Sequence, residues 1–212
     1  MNEKCLDIGC GDGSRQEIDE SRRRLINWLQ ENGNEYSYGI DADEEKINKI
    51  KQNIKNGTNF LVADANNLPF EDETFEIIHC WGVLHHIKEY KNTIKEIRRV
   101  LKNDGKIIII ESVDNCLEFR VARRIIGNWQ GCKIQSFFKS ETLKRELENE
   151  NFQILKEEYY YRSVISDLMR YFCAEPRWSL IINDKISKIS ERLHTEKLTC
   201  AHYSVVCKKN VN

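Results

Sequence analysis

The chain contains 212 residues, 40% of them hydrophobic and 32% charged, with 33 Lys and Arg against 34 Asp and Glu. This length suits one domain with its own core, and no stretch approaches the roughly 20 apolar residues of a membrane-spanning helix. A net charge of -1 gives no general attraction to nucleic acid or anionic lipid, so we expect neither a membrane protein nor a nucleic-acid binder.

The eight cysteines are scattered along the sequence and form no Cys-x-x-Cys pair. Cys5, Cys80 and Cys207 lie in apolar, strand-like runs, where a reduced cysteine behaves as a small hydrophobic residue. Cys200 and His202 can share a strand face, but two ligands do not make a metal site. We therefore predict structural thiols, no metal, and a reducing, cytoplasmic location.

From residue 4 to about 112, short apolar runs alternate with charged segments of helical period. Strands are predicted at residues 4–8, 36–40, 60–63, 75–80 and 106–111. Helix faces are predicted around Leu25, Ile26 and Leu29, around Ile47, Ile50 and Ile54, and around Ile94, Ile97 and Leu101. The sequence Asn-Asp-Gly at 103–105 predicts a turn before the fifth strand. Strands without strict alternation, separated by amphipathic helices, are typical of a parallel sheet covered on both faces, so the fold class is α/β.

Beyond residue 112 the pattern changes. Leu117, Val121 and Ile125 indicate a helix, and Ser140 is predicted to cap another that carries Leu143 and Leu147. A strand follows at 152–161, and the last one at about 199–207. Residues 112–138 and 162–197 lie outside the regular pattern of the sheet and are predicted to be helical insertions in a single domain over 1–212.

The most informative stretch is Leu-Asp-Ile-Gly-Cys-Gly-Asp-Gly at residues 6–13, where the first strand turns into the first helix. Glycines there let the backbone pass close to a ligand. The spacing Gly-x-Gly-x-Gly departs from the dinucleotide fingerprint Gly-x-Gly-x-x-Gly, because position 14 is Ser. This disfavours a nicotinamide-dependent oxidoreductase. No Gly-Lys-Ser/Thr follows either, so a phosphate-binding loop of the Walker type is absent.

Three carboxylates come at the ends of successive predicted strands. Asp7, two residues before the first glycine, is placed to attract a positively charged amino-acid end. Asp41 is placed to accept both hydroxyls of a ribose, and Asp64 to accept from an exocyclic adenine amine. Because the strands are parallel, the three side chains should converge on one edge of the sheet, where open α/β sheets bind ligands.

These motifs resemble those of the class I S-adenosylmethionine-dependent methyltransferases, in the type 11-like subgroup that methylates small molecules. The resemblance covers roughly the first half of the chain, in segments 6–13, 39–41, 62–65, 68–70, 75–86 and 98–106. It implies a Rossmann-like, doubly wound sheet of seven strands, mostly parallel, whose last strand at 201–207 is antiparallel. It also implies S-adenosylmethionine as cofactor.

Carried over residue by residue, the resemblance implies a cofactor site. Its methionine end would be held by Asp7 and the backbone of Gly9, Cys10 and Gly11. Its nucleoside would be held by Asp41 with Ala42 at the ribose and by Asp64 with the Ala65 amide at the adenine. The backbone of Cys80 and Trp81 would close over the methionine portion.

Two departures from the family qualify this assignment. The stretch from Gly13 to Asp41 is longer than usual, and the chain begins at the first strand, without the helices that usually precede it. The cover of the site then comes from elsewhere, is absent, or has been lost. We expect the insertions at 112–138 and 162–197 to form a lid and to determine the acceptor.

Methyl transfer is an in-line displacement, to which orientation and a dry site can contribute most of the acceleration. His85 and His86 follow the fourth strand and would point about 100° apart in a helix, so one of them should face the acceptor. That residue acts either as a base or by packing against and orienting the substrate. His79, inside the strand, is predicted to be a core histidine, and Trp81 either contacts the sulfonium or packs.

The leading hypothesis is therefore a methyltransferase for a small-molecule acceptor, acting as a monomer or homodimer. One alternative is a methyltransferase-like binding module without turnover, suggested by the missing leader helices. Another is an RNA or protein methyltransferase. Against the latter stand the near-zero charge and the sequence Cys-Trp-Gly-Val at 80–83, where an Asn-Pro-Pro-aromatic motif would be expected.

Overall fold

The computed structural model describes residues 3–12, 35–113, 115, 138–160, 185, 188 and 202–210. Within these residues the strands are β1 (Cys5–Ile8), β2 (Ser37–Asp41), β3 (Asn59–Val62), β4 (Phe75–Trp81), β5 (Leu101–Ser112), β6 (Phe152–Tyr160) and β7 (His202–Lys209). The helices are α1 (Glu44–Asn53), α2 (Tyr90–Val100) and α3 (Ser140–Asn149), and a 3₁₀ turn covers Leu84–His86. The helices predicted around Leu25 and Leu117 lie outside the described residues. Gly13 and nearly all of the predicted insertions at 112–138 and 162–197 lie outside them as well.

The strands form one sheet in the order β3-β2-β1-β4-β5-β7-β6. Parallel pairs join β1 to β2 and β4, β2 to β3, and β4 to β5. The last strand, β7, runs antiparallel to both β5 and β6. The predicted α/β sheet, mostly parallel with an antiparallel last strand, is confirmed. Strand order reverses between β1 and β4, which opens a crevice at the carboxyl ends of these two strands.

Apolar side chains cover both faces of the sheet. On one face, Ile78 and Ile107 pack with Ile97 of α2 and Leu143 of α3 in a large cluster. On the other face, Phe60 of β3 packs with a smaller group that includes Cys10, Ile47, Ile50 and Ile54. Burying each such side chain contributes about 1.5 to 3 kcal/mol. The core therefore fixes the sheet from both sides and leaves its carboxyl edge to the loops.

The sequence explains the start of α1 but not that of α3. Asp43 caps α1, since its carboxylate accepts hydrogen bonds from the backbone N–H groups of Glu45 and Lys46 at 2.9 and 3.3 Å. The predicted capping by Ser140 is wrong, because Ser140 is the first helical residue and follows the N-cap Lys139. The Ser140 N–H instead donates to the side-chain oxygen of Asn115 at 2.9 Å, an acceptor that arrives from a distant part of the chain.

The turn predicted at residues 103–105 is a bulge inside β5. Phe75 pairs with Leu101 and Ile77 pairs with Lys106, so the single residue Glu76 of β4 faces residues 102–105 of β5. Leu101, predicted on a helix face, is the first residue of the strand. A Cβ on Gly105 would lie 2.7 Å from Leu101 Cδ1 and 2.9 Å from a backbone oxygen. The Asn-Asp-Gly sequence therefore does bend the chain, but the strand continues through the bend.

None of the helices in the described parts of the chain combines the length and apolar character needed to cross a membrane. Over the same residues, no three His, Cys, Asp or Glu side chains are grouped in a way that could hold a metal ion.

Candidate functional site

The glycine loop leaves β1 at the point where the strand order reverses. The N–H groups of Gly9 and Cys10 both donate to the Ile40 carbonyl of β2, at 2.8 and 2.9 Å. Gly9 has a φ of +72°, and a Cβ placed there would lie 2.2 Å from Val83 Cγ2. Only glycine fits this position, because both the backbone angle and the contact with the segment after β4 exclude a side chain.

Asp41 is the last residue of β2 and connects two loops. Its Oδ2 accepts a hydrogen bond from the Gly11 N–H at 3.1 Å, and its Oδ1 accepts one from the Asp43 N–H at 3.0 Å. The side chain is 11% exposed, and Lys46 Nζ lies 3.7 Å from Oδ1. Each oxygen keeps a further lone pair, so the carboxylate is fixed in place and still able to accept from a ligand. Ala42, beside it, is exposed.

The third predicted carboxylate, Asp64, lies two residues beyond the end of β3 and is exposed. Its Oδ1 accepts from the Asn66 N–H at 2.8 Å, which closes a small turn around the buried Ala65. The Asn66 side-chain oxygen in turn accepts from the Thr93 hydroxyl of α2 at 2.9 Å. The turn is thereby attached to the core, with the Asp64 carboxylate towards solvent.

An arginine–glutamate pair on α2 holds the loop that follows. Arg99 donates to both oxygens of Glu96, to the Leu68 and Phe70 carbonyls and to the Asp72 carboxylate, at 2.7 to 3.0 Å. Glu96 also accepts from the Leu68 N–H at 2.8 Å. The Arg99 guanidinium, by its hydrogen bonds, holds the pKa of the Glu96 carboxyl below its usual range against the opposing effect of burial. The Arg99 side chain thus attaches the loop of residues 68–72 to α2.

We predict that Arg99→Met lowers the free energy of unfolding by about 2 kcal/mol, because the loop carbonyls and two carboxylates lose their shared donor. Arg99→Lys should recover less than half of this loss, since an ammonium group cannot match the fork of the guanidinium. Urea unfolding measures both. Arg145→Met, at an exposed position of α3, is the matched control and should stay within about 0.5 kcal/mol of the wild type.

Asp7 lies inside β1, one residue before its end, and is 7% exposed. Its Oδ1 is 3.2 Å from Nδ1 of His79, the residue directly opposite on β4. His79 is 9% exposed and lies inside β4 as predicted, but its contact with Asp7 was not foreseen. The Trp81 ring lies edge-on to the His79 ring at 5.9 Å. Cys80, between them, is fully buried.

Glu111, near the carboxyl end of β5, is a buried carboxylate that gathers three donors. Oε1 accepts from the N–H groups of Val83 and Leu84, each at 2.7 Å, and Oε2 lies 2.7 Å from His85 Nδ1. Burial raises the pKa of Glu111, but attraction to His85 and the hydrogen bonds from His85, Leu84 and Val83 outweigh it, so the pKa lies below its ordinary value. The carboxylate is therefore charged and fixes the 3₁₀ turn.

The rings of His85 and His86 do not diverge as expected for a helix. Their centroids are 4.0 Å apart and the planes are tilted by 43°. His85 is the more buried of the two, at 9% exposure, and His86 is partly exposed. Because a carboxylate can only accept, the Glu111 contact requires a proton on His85 Nδ1, and the neutral ring then has its lone pair on Nε2.

The structure thus brings together most of the residues that the sequence singled out. The glycine loop, Asp41 and the segment after β4 are in direct contact, while Asp64 lies beyond β3. Two features were missed, the contact of His79 with Asp7 and the role of Glu111. A signal for Glu111 existed, because an acid directly follows the apolar run 107–110, the same reasoning that selected the other strand-end carboxylates.

The donor and acceptor set fits a nucleoside that carries an amino-acid group. Carboxylate oxygens at Asp41, Asp64 and Asp7 suit hydroxyl, amine and ammonium donors. Gly82, with a φ of +61°, is an open position, since a Cβ there would meet only His85 Cε1 at 3.8 Å. This edge of the sheet therefore offers acceptors to a polar ligand.

Comparison with known proteins gives one family. Residues 6–109 match a family described as a methyltransferase domain. The uncharacterized methyltransferase YcgJ of Bacillus subtilis is 28% identical over 113 residues, 51% of this chain and 40% of that protein. Demethylmenaquinone methyltransferase of Thermotoga maritima is 29% identical over 109 residues, 51% of this chain and 43% of that protein. The chain spans about two fifths of the length of these curated relatives.

Solved structures share the fold at lower identity. A chain of the complex between the Haloferax volcanii Trm112 methyltransferase activator and a methyltransferase superposes with a TM-score of 0.67 at 16% identity. The superposition covers 99% of this chain and 84% of that chain.

Proposed function

Since the chain belongs to the class I S-adenosylmethionine-dependent methyltransferase family through residues 6–109, we propose that it transfers a methyl group from S-adenosylmethionine to a small-molecule acceptor. The contact that carries this proposal joins Asp41 to Gly11 at 3.1 Å. It joins the carboxylate proposed to bind the ribose to the glycine loop at the neighbouring ends of β1 and β2, so that one ligand can contact both.

In this proposal, residues at the ends of different strands bind different parts of the cofactor. Asp41 and Ala42 hold the ribose, and Asp64 with the Ala65 amide holds the adenine. The methionine end lies against Asp7, the backbone of residues 9–11, and the backbone of Cys80 and Trp81. Bound S-adenosylmethionine supplies a methyl group on a positively charged sulfur, which an acceptor atom displaces in line.

His85 faces the acceptor in the proposed reaction, with His86 beside it. Glu111 keeps the proton of His85 on Nδ1, so that Nε2 is free to accept a proton from a hydroxyl or acidic carbon. For an acceptor that needs no base, the same ring orients the substrate. The rest of the rate enhancement comes from orientation and exclusion of water.

The acceptor and the setting of the enzyme complete the proposal. A small acceptor is supported by the name of the Thermotoga maritima relative, a demethylmenaquinone methyltransferase. Residues 112–138 and 162–197 are proposed to form the lid over it. We propose a cytoplasmic enzyme that acts as a monomer or homodimer.

Isothermal titration with S-adenosylmethionine and with S-adenosylhomocysteine tests the cofactor assignment directly. We expect saturable binding of both, and a rise in melting temperature because a ligand that binds only the folded state stabilises it. NADH is the matched control and should give no saturable heat. Absence of both heat and thermal shift with the two adenosyl ligands would refute the proposed function.

A further inference from the structure

His79 has a position in the crevice that the family assignment does not explain. We propose that neutral His79 holds one oxygen of Asp7 and thereby presents the other oxygen to the α-ammonium group of the bound cofactor. This role rests on the proposed function, because it concerns the methionine end of the same site. His79 is a positioning residue, since it acts on the ligand through Asp7.

The register of the sheet makes the contact specific. Asp7 of β1 and His79 of β4 are paired residues of neighbouring parallel strands, so both side chains leave the sheet on the same face. The distance from Asp7 Oδ1 to His79 Nδ1 is 3.2 Å, and the side chains are 8% and 11% exposed. Because the carboxylate only accepts, Nδ1 holds a proton whether the ring is neutral or charged.

The second oxygen of Asp7 is left for a ligand. Among the residues that the structure describes, none donates a hydrogen bond to Asp7 Oδ2. A carboxylate that is largely removed from water is poorly stabilised with one donor and gains from a cationic one. The ammonium group of an amino acid supplies that donor, and Asp7 lies two residues before the glycine loop that holds the same end of the ligand.

The charge of His79 then controls the strength of this contact. A neutral ring leaves the negative charge of Asp7 available, whereas a protonated ring forms an ion pair with Asp7 and repels the incoming ammonium group. On the described strands, the other side chains of this face next to the pair are Cys5, Ser37, Asp41, Ile77, Trp81, Lys106, Ile108 and Ile110. Asp41, Lys106 and Cys5 are the ionisable groups among them, and burial together with Glu3 and Glu76 raises the pKa of Cys5 to about 11, so it stays uncharged.

Comparing two ligands distinguishes a role of His79 at the ammonium group from a general effect on the cofactor site. S-adenosylhomocysteine carries the ammonium group, and 5′-methylthioadenosine has the same nucleoside without the amino-acid end. Two variants separate hydrogen bonding from charge. In His79→Asn the side-chain amide can donate near the position of Nδ1 but takes up no proton, and in His79→Phe the donor is lost.

By isothermal titration at about pH 8, we expect His79→Phe to bind S-adenosylhomocysteine about tenfold more weakly than wild type, and His79→Asn to stay within about twofold. Binding of 5′-methylthioadenosine should be the same for all three proteins, which also shows that they are folded.

The outcomes that contradict the proposal are distinct. Equal losses of both ligands on substitution would overturn the role of His79 while leaving the cofactor assignment in place. So would wild-type affinity of His79→Phe for S-adenosylhomocysteine. Failure of the wild type to bind either ligand would overturn the proposed function, and the role of His79 with it.

Discussion

Replacing Glu111 with alanine is expected to lower the free energy of unfolding by about 4 kcal/mol. The substitution leaves three buried donors without an acceptor, namely the N–H groups of Val83 and Leu84 and the Nδ1–H of His85. The 3₁₀ turn, and with it the segment that packs on Gly9, loses its side-chain attachment to β5 and keeps the backbone bond from the Gly82 N–H to the Ile110 carbonyl. Urea unfolding near neutral pH measures the loss, and a change below about 1 kcal/mol would contradict the anchoring role.

Glu111→Gln retains an oxygen for the two backbone donors but turns an amide N–H towards His85. We expect a smaller loss, of about 1 to 2 kcal/mol, and a shift of the His85 proton from Nδ1 to Nε2. ¹⁵N chemical shifts of the imidazole ring report this shift of the proton, which a purely structural role of Glu111 would not produce. The measurement also remains possible if the alanine variant does not fold.

The difference in the free energy of unfolding between wild type and Glu111→Gln should depend on pH. Because the pKa of Glu111 is lower in the folded protein than its ordinary value of 4.5, its contribution to stability is complete above that value. The contribution is lost as the pH falls through the folded-state pKa. The stability difference between wild type and Glu111→Gln should therefore shrink on acidification, and a difference that grows would contradict this sign.

Asp41→Ala is expected to weaken binding of S-adenosylhomocysteine by about 100-fold, because two hydroxyl hydrogen bonds to a charged acceptor are lost. The glycine loop also loses the acceptor of the Gly11 N–H. Isothermal titration measures the affinity, and circular dichroism shows that the variant is folded. Wild-type affinity in a folded Asp41→Ala protein would mean that the ribose is bound elsewhere.

Asp43→Ala is the matched control for this experiment. Asp43 lies two residues away, where it caps α1 through the N–H groups of Glu45 and Lys46. Its loss should destabilise the protein by about 1 kcal/mol and leave the affinity for S-adenosylhomocysteine unchanged. The pair of variants distinguishes a lost ligand contact from general destabilisation of this loop.

Apolar periodicity was sufficient to predict the described strands and helices because the sheet is covered on both faces. Prediction from the sequence failed where the same residues are compatible with two local conformations. Asn-Asp-Gly at 103–105 favours a bend in either a turn or a bulge, and only the pairing of Lys106 with Ile77 decides between them. Ser140 has a side chain that often caps helices, but here its own backbone N–H needs an acceptor. That acceptor is the side-chain oxygen of Asn115, whose position depends on the tertiary structure.

In the candidate site, strand-end carboxylates could be predicted because parallel strands bring their ends to one edge. Side-chain contacts between neighbouring strands could not be predicted, since they depend on the register in which the strands pair. His79 meets Asp7 only because the two residues are paired between β1 and β4. Arg99 likewise closes the loop at 68–72 through backbone carbonyls, which leave no trace in the identity of the loop residues.

The position of β7 has a consequence for how the chain reaches its native state. This strand is the last of the seven in the sequence, yet it lies between β5 and β6. A nascent polypeptide that lacks residues 202–209 leaves β5 with an open edge and β6 without a neighbour, and open edges invite association with other chains. Residues 202–209 must therefore join the sheet before the β5 edge is protected, even if residues 5–112 have already folded.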